Sequence, residues 1–274
     1  MIRRTPSIAL TAQIAFWAAV WAALPARAQD KDRDLRLHLD YTGRFSVFGK
    51  VLDAKVDERV DGGAFEADAR LHSAGLLAIL KQIEERATSR GRIVDGRARP
   101  GVFRYDNPGA RKYRKVEIDW TDTAVTTVSS VPILFWGDPP ASPAQKLEAA
   151  DPLTQVMRMT LPARGPDCRG SARFFDGKAL YDLDFLDREA AARTGREKRL
   201  GLVDPVRCHV RFREVAGFKK KPAEQRNQGL KTPVALTFAR LGASGPWLIS
   251  AIETETNWGG ASVELEEITT PKRD

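Results

Sequence analysis

The chain has 274 residues, of which 29% are charged and 42% hydrophobic. That balance excludes a largely disordered chain, a collagen-like repeat and a coiled coil, and the length suits one large domain or two small ones. The formal net charge of +8 is weak evidence for any partner.

Residues 1–28 contain Arg3, Arg4 and Arg27 and no acid, an apolar run from Ile14 to Leu24, and then Pro25-Ala26-Arg27-Ala28. A basic start, an apolar stretch and small residues in an A-x-A arrangement make a secretory signal, expected to be cleaved after Ala28. The rival reading is a membrane anchor. The uninterrupted apolar run reaches only about 16 Å as a helix, against a hydrocarbon core of about 30 Å. Cleavage removes three arginines and takes the charge from +8 to +5. It leaves 29–274 as a single β-rich domain with its core at about 35–268, no stable membrane span and, given export, no nucleic-acid partner. In an exported chain the two cysteines, Cys168 and Cys208, most simply form one disulfide. No C-x-x-C spacing supports a redox pair.

Along the chain, alternation of period two dominates. Leu35, Leu37, Leu39 and Tyr41 share one face, as do Phe65, Ala67, Ala69 and Leu71, and then Val116, Ile118 and Trp120. The pattern returns at Tyr181, Leu183 and Phe185, at Cys208, Val210 and Phe212, at Val234, Leu236 and Phe238, and at Val263 and Leu265. Each run reads as a strand with one buried and one wet face, the mark of antiparallel sheet. Turns are expected at Asp61-Gly62-Gly63, Asp95-Gly96, Asp106-Asn107-Pro108-Gly109, Asp176-Gly177 and Trp258-Gly259-Gly260, because Asp-Gly and its relatives accept positive φ. Ala74–Ile83 has helical spacing but is short enough to be a strand. Asp151–Leu161 is the better helix: Asp151 caps it, Pro152 fits its first turn, and Leu153, Val156, Met157 and Leu161 share a face. Arg188–Gly201 and Lys219–Thr232 read as exposed polar loops. About ten strands in one twisted sheet tend to curl. The expected fold is mainly β, a curved antiparallel sheet forming an open or half barrel with one or two short helices packed on it.

Motifs of catalysis are missing from the sequence. There is no G-x-S-x-G, no S-x-x-K and no glycine-rich phosphate loop. His38, His72 and His209 lie far apart, and a zinc site needs three or four ligands. No cofactor and no metal are expected. Asp182, Asp184 and Asp187 form the densest acidic cluster, which lacks the EF-hand pattern and reads as a solvated strand face. Arg207, His209, Arg211 and Arg213 form the densest basic strip. The disulfide places it beside Asp182 and Asp184, so cross-strand ion pairs are expected; the alternative is a strip that reads an anion. Val131–Trp136 is apolar without alternation, a buried run or the rim of a greasy pocket. Leu76, Leu80, Ile133, Phe135, Trp136, Leu153 and Met157 are the candidates for an apolar cavity or contact patch.

The order of these features resembles the exported Gram-negative family called domain of unknown function 3108. The matching pieces are the strand at Leu37–Tyr41, Ser73-Ala74-Gly75-Leu76, Pro100-Gly101-Val102-Phe103-Arg104-Tyr105, Asp151-Pro152-Leu153, and the Cys168 segment leading to Phe175-Asp176-Gly177-Lys178. They continue with Arg207-Cys208-His209-Val210, Val215-Ala216-Gly217 and Pro246-Trp247-Leu248-Ile249. The resemblance implies a periplasmic β-rich protein with a cysteine pair and no established activity. By architecture it is also similar to lipoprotein carriers of the LolA/LolB type, whose curved sheet wraps helices and leaves an apolar cavity; fold alone does not carry function.

The expected function is therefore non-enzymatic. The chain would bind a lipid, a lipidated protein or another envelope component in the periplasm, or, as the alternative, serve as a scaffold or interaction module with a filled core. A hydrolase assembled from Asp119, Asp182 and Glu253 is the remaining reading, and no spacing supports it. An empty apolar cavity or a packed core inside the sheet separates the first two.

Overall fold

The computed structural model describes residues 34–80, 82–108, 113–131, 139–161, 165–218, 233–257 and 259–270, without the side chains at 76, 80 and 128–131. The signal segment 1–28, most of Val131–Trp136, and Lys219–Thr232 lie outside the described residues. From Asp34 onward the chain is one compact unit.

Among the described residues thirteen strands form a single sheet in the order β7-β6-β5-β4-β3-β2-β1-β13-β12-β11-β10-β9-β8. The first meander comprises β1 (Leu35–Phe45), β2 (Gly49–Asp61), β3 (Ala64–Ser73), β4 (Glu84–Val94), β5 (Arg97–Asp106), β6 (Lys115–Trp120) and β7 (Val125–Val131). The second comprises β8 (Ser171–Phe175), β9 (Leu180–Ala190), β10 (Leu202–Ala216), β11 (Val234–Leu241), β12 (Trp247–Thr256) and β13 (Gly259–Thr269). All pairings are antiparallel, and one seam, β1 against β13, joins the two halves. Four short helices are described: α1 (Gly75–Leu80), α2 (Pro143–Glu148), α3 (Pro152–Thr160) and α4 (Gly195–Arg199).

The period-two pattern decides which face turns inward. One cross-strand row runs Leu37, Glu58, Ala67, Ser89, Phe103 and Ile118 through β1 to β6. Every member is buried, while the alternate residues carry the charges. Tight turns sit at Asp61-Gly62-Gly63, Asp95-Gly96 and Asp176-Gly177, with positive φ at Gly62, Gly63, Asp95, Gly96 and Gly177.

The sheet does not close by hydrogen bonds between β7 and β8. The chain between them fills the gap. Ala150 makes a one-residue parallel bridge to Phe174 on the free edge of β8, with Phe175 N–H donating to the Ala150 carbonyl at 2.9 Å. Gly217 N–H donates to the Pro139 carbonyl, and Arg114 Nη2 to the Asp176 carbonyl, both at 2.8 Å. The tip of the β8–β9 hairpin thus packs on β6, and Phe103, Val116 and Ile118 share one core cluster with Phe175, Leu180 and Ala216.

Helix α3 lies inside this curve. It touches β3, β4 and β5 on one side and β8 and β12 on the other. Asp151 caps it, accepting from Thr154 N–H at 2.9 Å, and Pro152 occupies its first turn. Leu153 packs on the cluster that joins the two sheet ends, Val156 and Met159 on the cluster around Cys208 and Phe238, and Met157 with Val60, Phe65 and Ala98. A helix enclosed by a sheet has no wholly wet face, which is why Thr154, Gln155 and Thr160 are buried beside the apolar residues. Ala74–Ile83 resolves into the short helix α1. The expected exposed loop at Arg188–Gly201 is instead the end of β9 followed by α4, whose Thr194 and Glu197 form a reciprocal capping box. Glu197 is buried there and accepts from Ser250 Oγ at 2.7 Å.

Candidate functional site

The sequence-derived candidates separate into an interior group and an outer-face group. In the interior, Met157 is 1% exposed and Leu153 half-buried, so both serve as packing for α3. Leu76 and Leu80 belong to α1, but their side chains are outside the described set; Ile133, Phe135 and Trp136 are outside it altogether. Five of the seven residues named for one apolar cavity thus fall outside the described side chains; the two described, Leu153 and Met157, lie one turn apart on α3.

The interior also holds polar groups absent from the sequence-derived list. Asp151 accepts from Thr154 Oγ1 at 2.6 Å and Ser89 Oγ at 3.1 Å, and all three are buried. Burial raises the Asp151 carboxyl, against the hydrogen bonds it accepts. Glu58 is 6% exposed in the inward row, and burial pushes it up to about 7. Tyr41 donates to the Ile249 carbonyl at 3.1 Å; burial, then the Glu58 charge, raises its phenol far above the usual value. The spacing Leu52, Ala54, Val56, Glu58, Val60 is the signal that places Glu58 inside.

On the outer face, the basic strip meets acids strand by strand. Arg207 Nη2 donates to Glu253 at 3.0 Å, and His209 Nδ1 lies 2.7 Å from Asp187. Arg213 donates from Nε to Asp184 at 2.8 Å and from Nη2 to Asp182 at 2.5 Å. Arg211 is exposed opposite Asp184 in register. The hydrogen bonds from Arg213 and then Ser171 hold the Asp184 carboxyl below its ordinary value. The expectation of a solvated acidic face needs one correction: Asp182 is 1% exposed, because Arg173 also grips it at 2.9 Å and 3.1 Å. The strip is a structural ion-pair ladder along most of its length.

A cleft of about 620 Å³ opens where this ladder meets the seam. Its floor follows one register row, Ala235, Glu253 and Ser262, between His209 and Arg44. Small side chains leave the depression; Arg44, Arg207, Glu253 and Glu255 give it both signs of charge. A second cleft, about 870 Å³, lies over β3 to β5 beside α1, walled by Arg70, Arg86, Arg104 and Asp106 with Tyr105 at one side. Burial, then the Glu85 charge, pushes the Tyr105 phenol up to about 12. Asp119, Asp182 and Glu253 sit on β6, β9 and β12, which are not neighbours in the sheet. Cys168 and Cys208 are bonded, with Cα atoms 5.5 Å apart. Among the described residues no three His, Cys, Asp or Glu side chains converge as metal ligands, and no helix is long and apolar enough to cross a membrane.

Fold and clefts together define an open antiparallel sheet wrapped around a helix, with the two clefts described above lined by residues of the charged strand faces. No family model matches the chain and no curated protein matches it, so membership of domain of unknown function 3108 has no support from those comparisons. Among solved structures, the chain is similar to a beta-barrel-like protein of domain of unknown function DUF1849 from Brucella abortus. The identity is 10%, the match covers 88% of this chain and 100% of that one, and the TM-score is 0.42.

Proposed function

We propose that this protein is a non-enzymatic, exported interaction module of the cell envelope that engages its partner through the outer face of the sheet. The observation that carries this reading is the position of α3. The carriers' sheet also wraps helices, so what supports this reading is how α3 fills the inner face: its Leu153, Val156, Met157 and Met159 contact three core clusters, where a carrier would leave room for cargo. The mixed-charge cleft beside Arg207 and His209 supports binding of a polar protein segment or glycan. The signal-like start and the disulfide support export to the periplasm. The dispersal of Asp119, Asp182 and Glu253 supports a non-catalytic role.

Native mass spectrometry of the mature protein from its own periplasm, followed by solvent extraction, tests the reading. It is paired with a photo-crosslinking residue at Ser262 in the cleft. The expected result is a protein free of lipid and a discrete crosslinked product that is absent when the crosslinker sits elsewhere on the outer face. A stoichiometric acyl species in the extract overturns it in favour of a lipid carrier.

A further inference from the structure

The β4–β5 hairpin turns at Asp95-Gly96, with φ of 52° and 71°. The other arginines of β2 to β6 each meet a carboxylate: Arg59 with Asp61, Arg70 with Asp68, Arg86 with Glu84, Arg90 with Glu66 and Arg104 with Glu117. Towards the hairpin tip that pairing stops. Arg92 and Arg99 face each other directly in register, Arg97 follows the turn, and all three are exposed. None of them forms an ion pair among the described residues, and the turn's own Asp95 forms none either. Like charges directly opposite in an antiparallel pair are destabilising, so this hairpin carries a cost that the rest of the sheet avoids.

A fourth arginine approaches from the inside. Arg158 of α3 is half-buried and donates from Nε to the Ala98 carbonyl at 2.8 Å. It forms no ion pair among the described residues; burial, and then the charge of Arg97, lower its guanidinium to about 10. Strand β6 pairs with β5 only from Val102 onward, so among the described residues no strand covers this flank.

We propose that Arg92, Arg97 and Arg99, backed by Arg158, form a binding site for phosphate groups. Guanidinium forks match phosphate oxygens in a bidentate manner, and each contact is a charge-assisted hydrogen bond. A bound phosphate relieves the repulsion between Arg92 and Arg99, whose guanidinium groups Asp95 at the turn leaves unpaired among the described residues. The strip at Arg207–Arg213 offers no such opening, because its own acids neutralise most of it. The phosphate comes either from a soluble compound or from the headgroup of an anionic lipid. The site is independent of the cleft proposed above and stands or falls separately.

The test uses the mature, disulfide-bonded protein. Inorganic pyrophosphate binding is measured by titration calorimetry. Vesicle binding is measured by co-sedimentation with phosphatidylcholine vesicles, with and without phosphatidylglycerol. The expected result is salt-sensitive binding to one or both probes, weakened about tenfold or more in R92Q/R99Q and unchanged in R211Q. Pyrophosphate binding alone identifies a soluble phosphate; phosphatidylglycerol-dependent binding alone identifies a membrane surface. Thermal melting checks that R92Q/R99Q folds, and R97Q serves as the second variant. No binding to either probe, or an equal loss in R211Q, overturns the proposal.

Discussion

Glu58 stands in a row otherwise made of Leu37, Ala67, Ser89, Phe103 and Ile118. Its ordinary carboxyl value of 4.5 is raised to about 7 by burial. The folded protein keeps a proton that the unfolded chain releases between those values. Stability from this group is full below about pH 4.5 and is lost as pH rises through 7, by about 3 kcal/mol. Urea unfolding of the wild type from pH 4.5 to 8 should show that decline, and E58Q should remove about that much of it and be the more stable protein at pH 8. Equal slopes for both would place the titration elsewhere. The inward position of Glu58 is legible in the alternation of β2. The burial of Asp182 is not: Arg173 faces it across the predicted Asp176-Gly177 turn, but alternation alone does not show that Arg173 and Arg213 both close over the same carboxylate.

At the scale of the element, α3 was legible and its environment was not. Asp151, Pro152 and the Leu153, Val156, Met157, Leu161 spacing announce a capped helix. An amphipathic stripe reads the same on the outside of a sheet as on the inside. D151A removes the cap and leaves the Ser89 and Thr154 hydroxyls without their shared buried acceptor. A loss of about 1–3 kcal/mol is expected in chemical denaturation. The tip of the β8–β9 hairpin offers a second test. Gly177 has φ of 89°, and a Cβ there would collide with Val116 Cγ1 on β6. G177A should therefore cost more than the about 1 kcal/mol typical of a residue forced into that backbone region, and it should loosen the contact between the two sheet ends, read as faster amide exchange at Val116 and Ile118. Helix α4 was missed, although Thr194 and Glu197 have the capping-box spacing; its single turn is too short to show periodicity.

For the molecule as a whole, the antiparallel, curved, unclosed sheet followed from strand alternation and strand number. The pairing order did not, since alternation fixes which face is buried but not which strand lies alongside. The disulfide spans a sequence separation of 40, tying the segment before β8 to β10. Its reduction should lower stability by about 4 kcal/mol on the chain-entropy model, seen as a lower urea midpoint for the reduced protein. The β1–β13 seam has a further consequence. His38 faces Thr269 across it, so the two outermost strands of the chain lie side by side. A short linker there, with new termini opened at the exposed Pro140, gives a circular permutant that runs β8 to β13 and then β1 to β7. Every hydrogen-bonded strand pair in that permutant is joined by its own connecting loop. The seam stops being the one sheet pairing without its own connecting loop, while the contacts of α3 with β3, β4 and β5 become more distant in sequence; faster folding of the permutant would place the rate limit in the seam, and slower folding would place it in that inner packing.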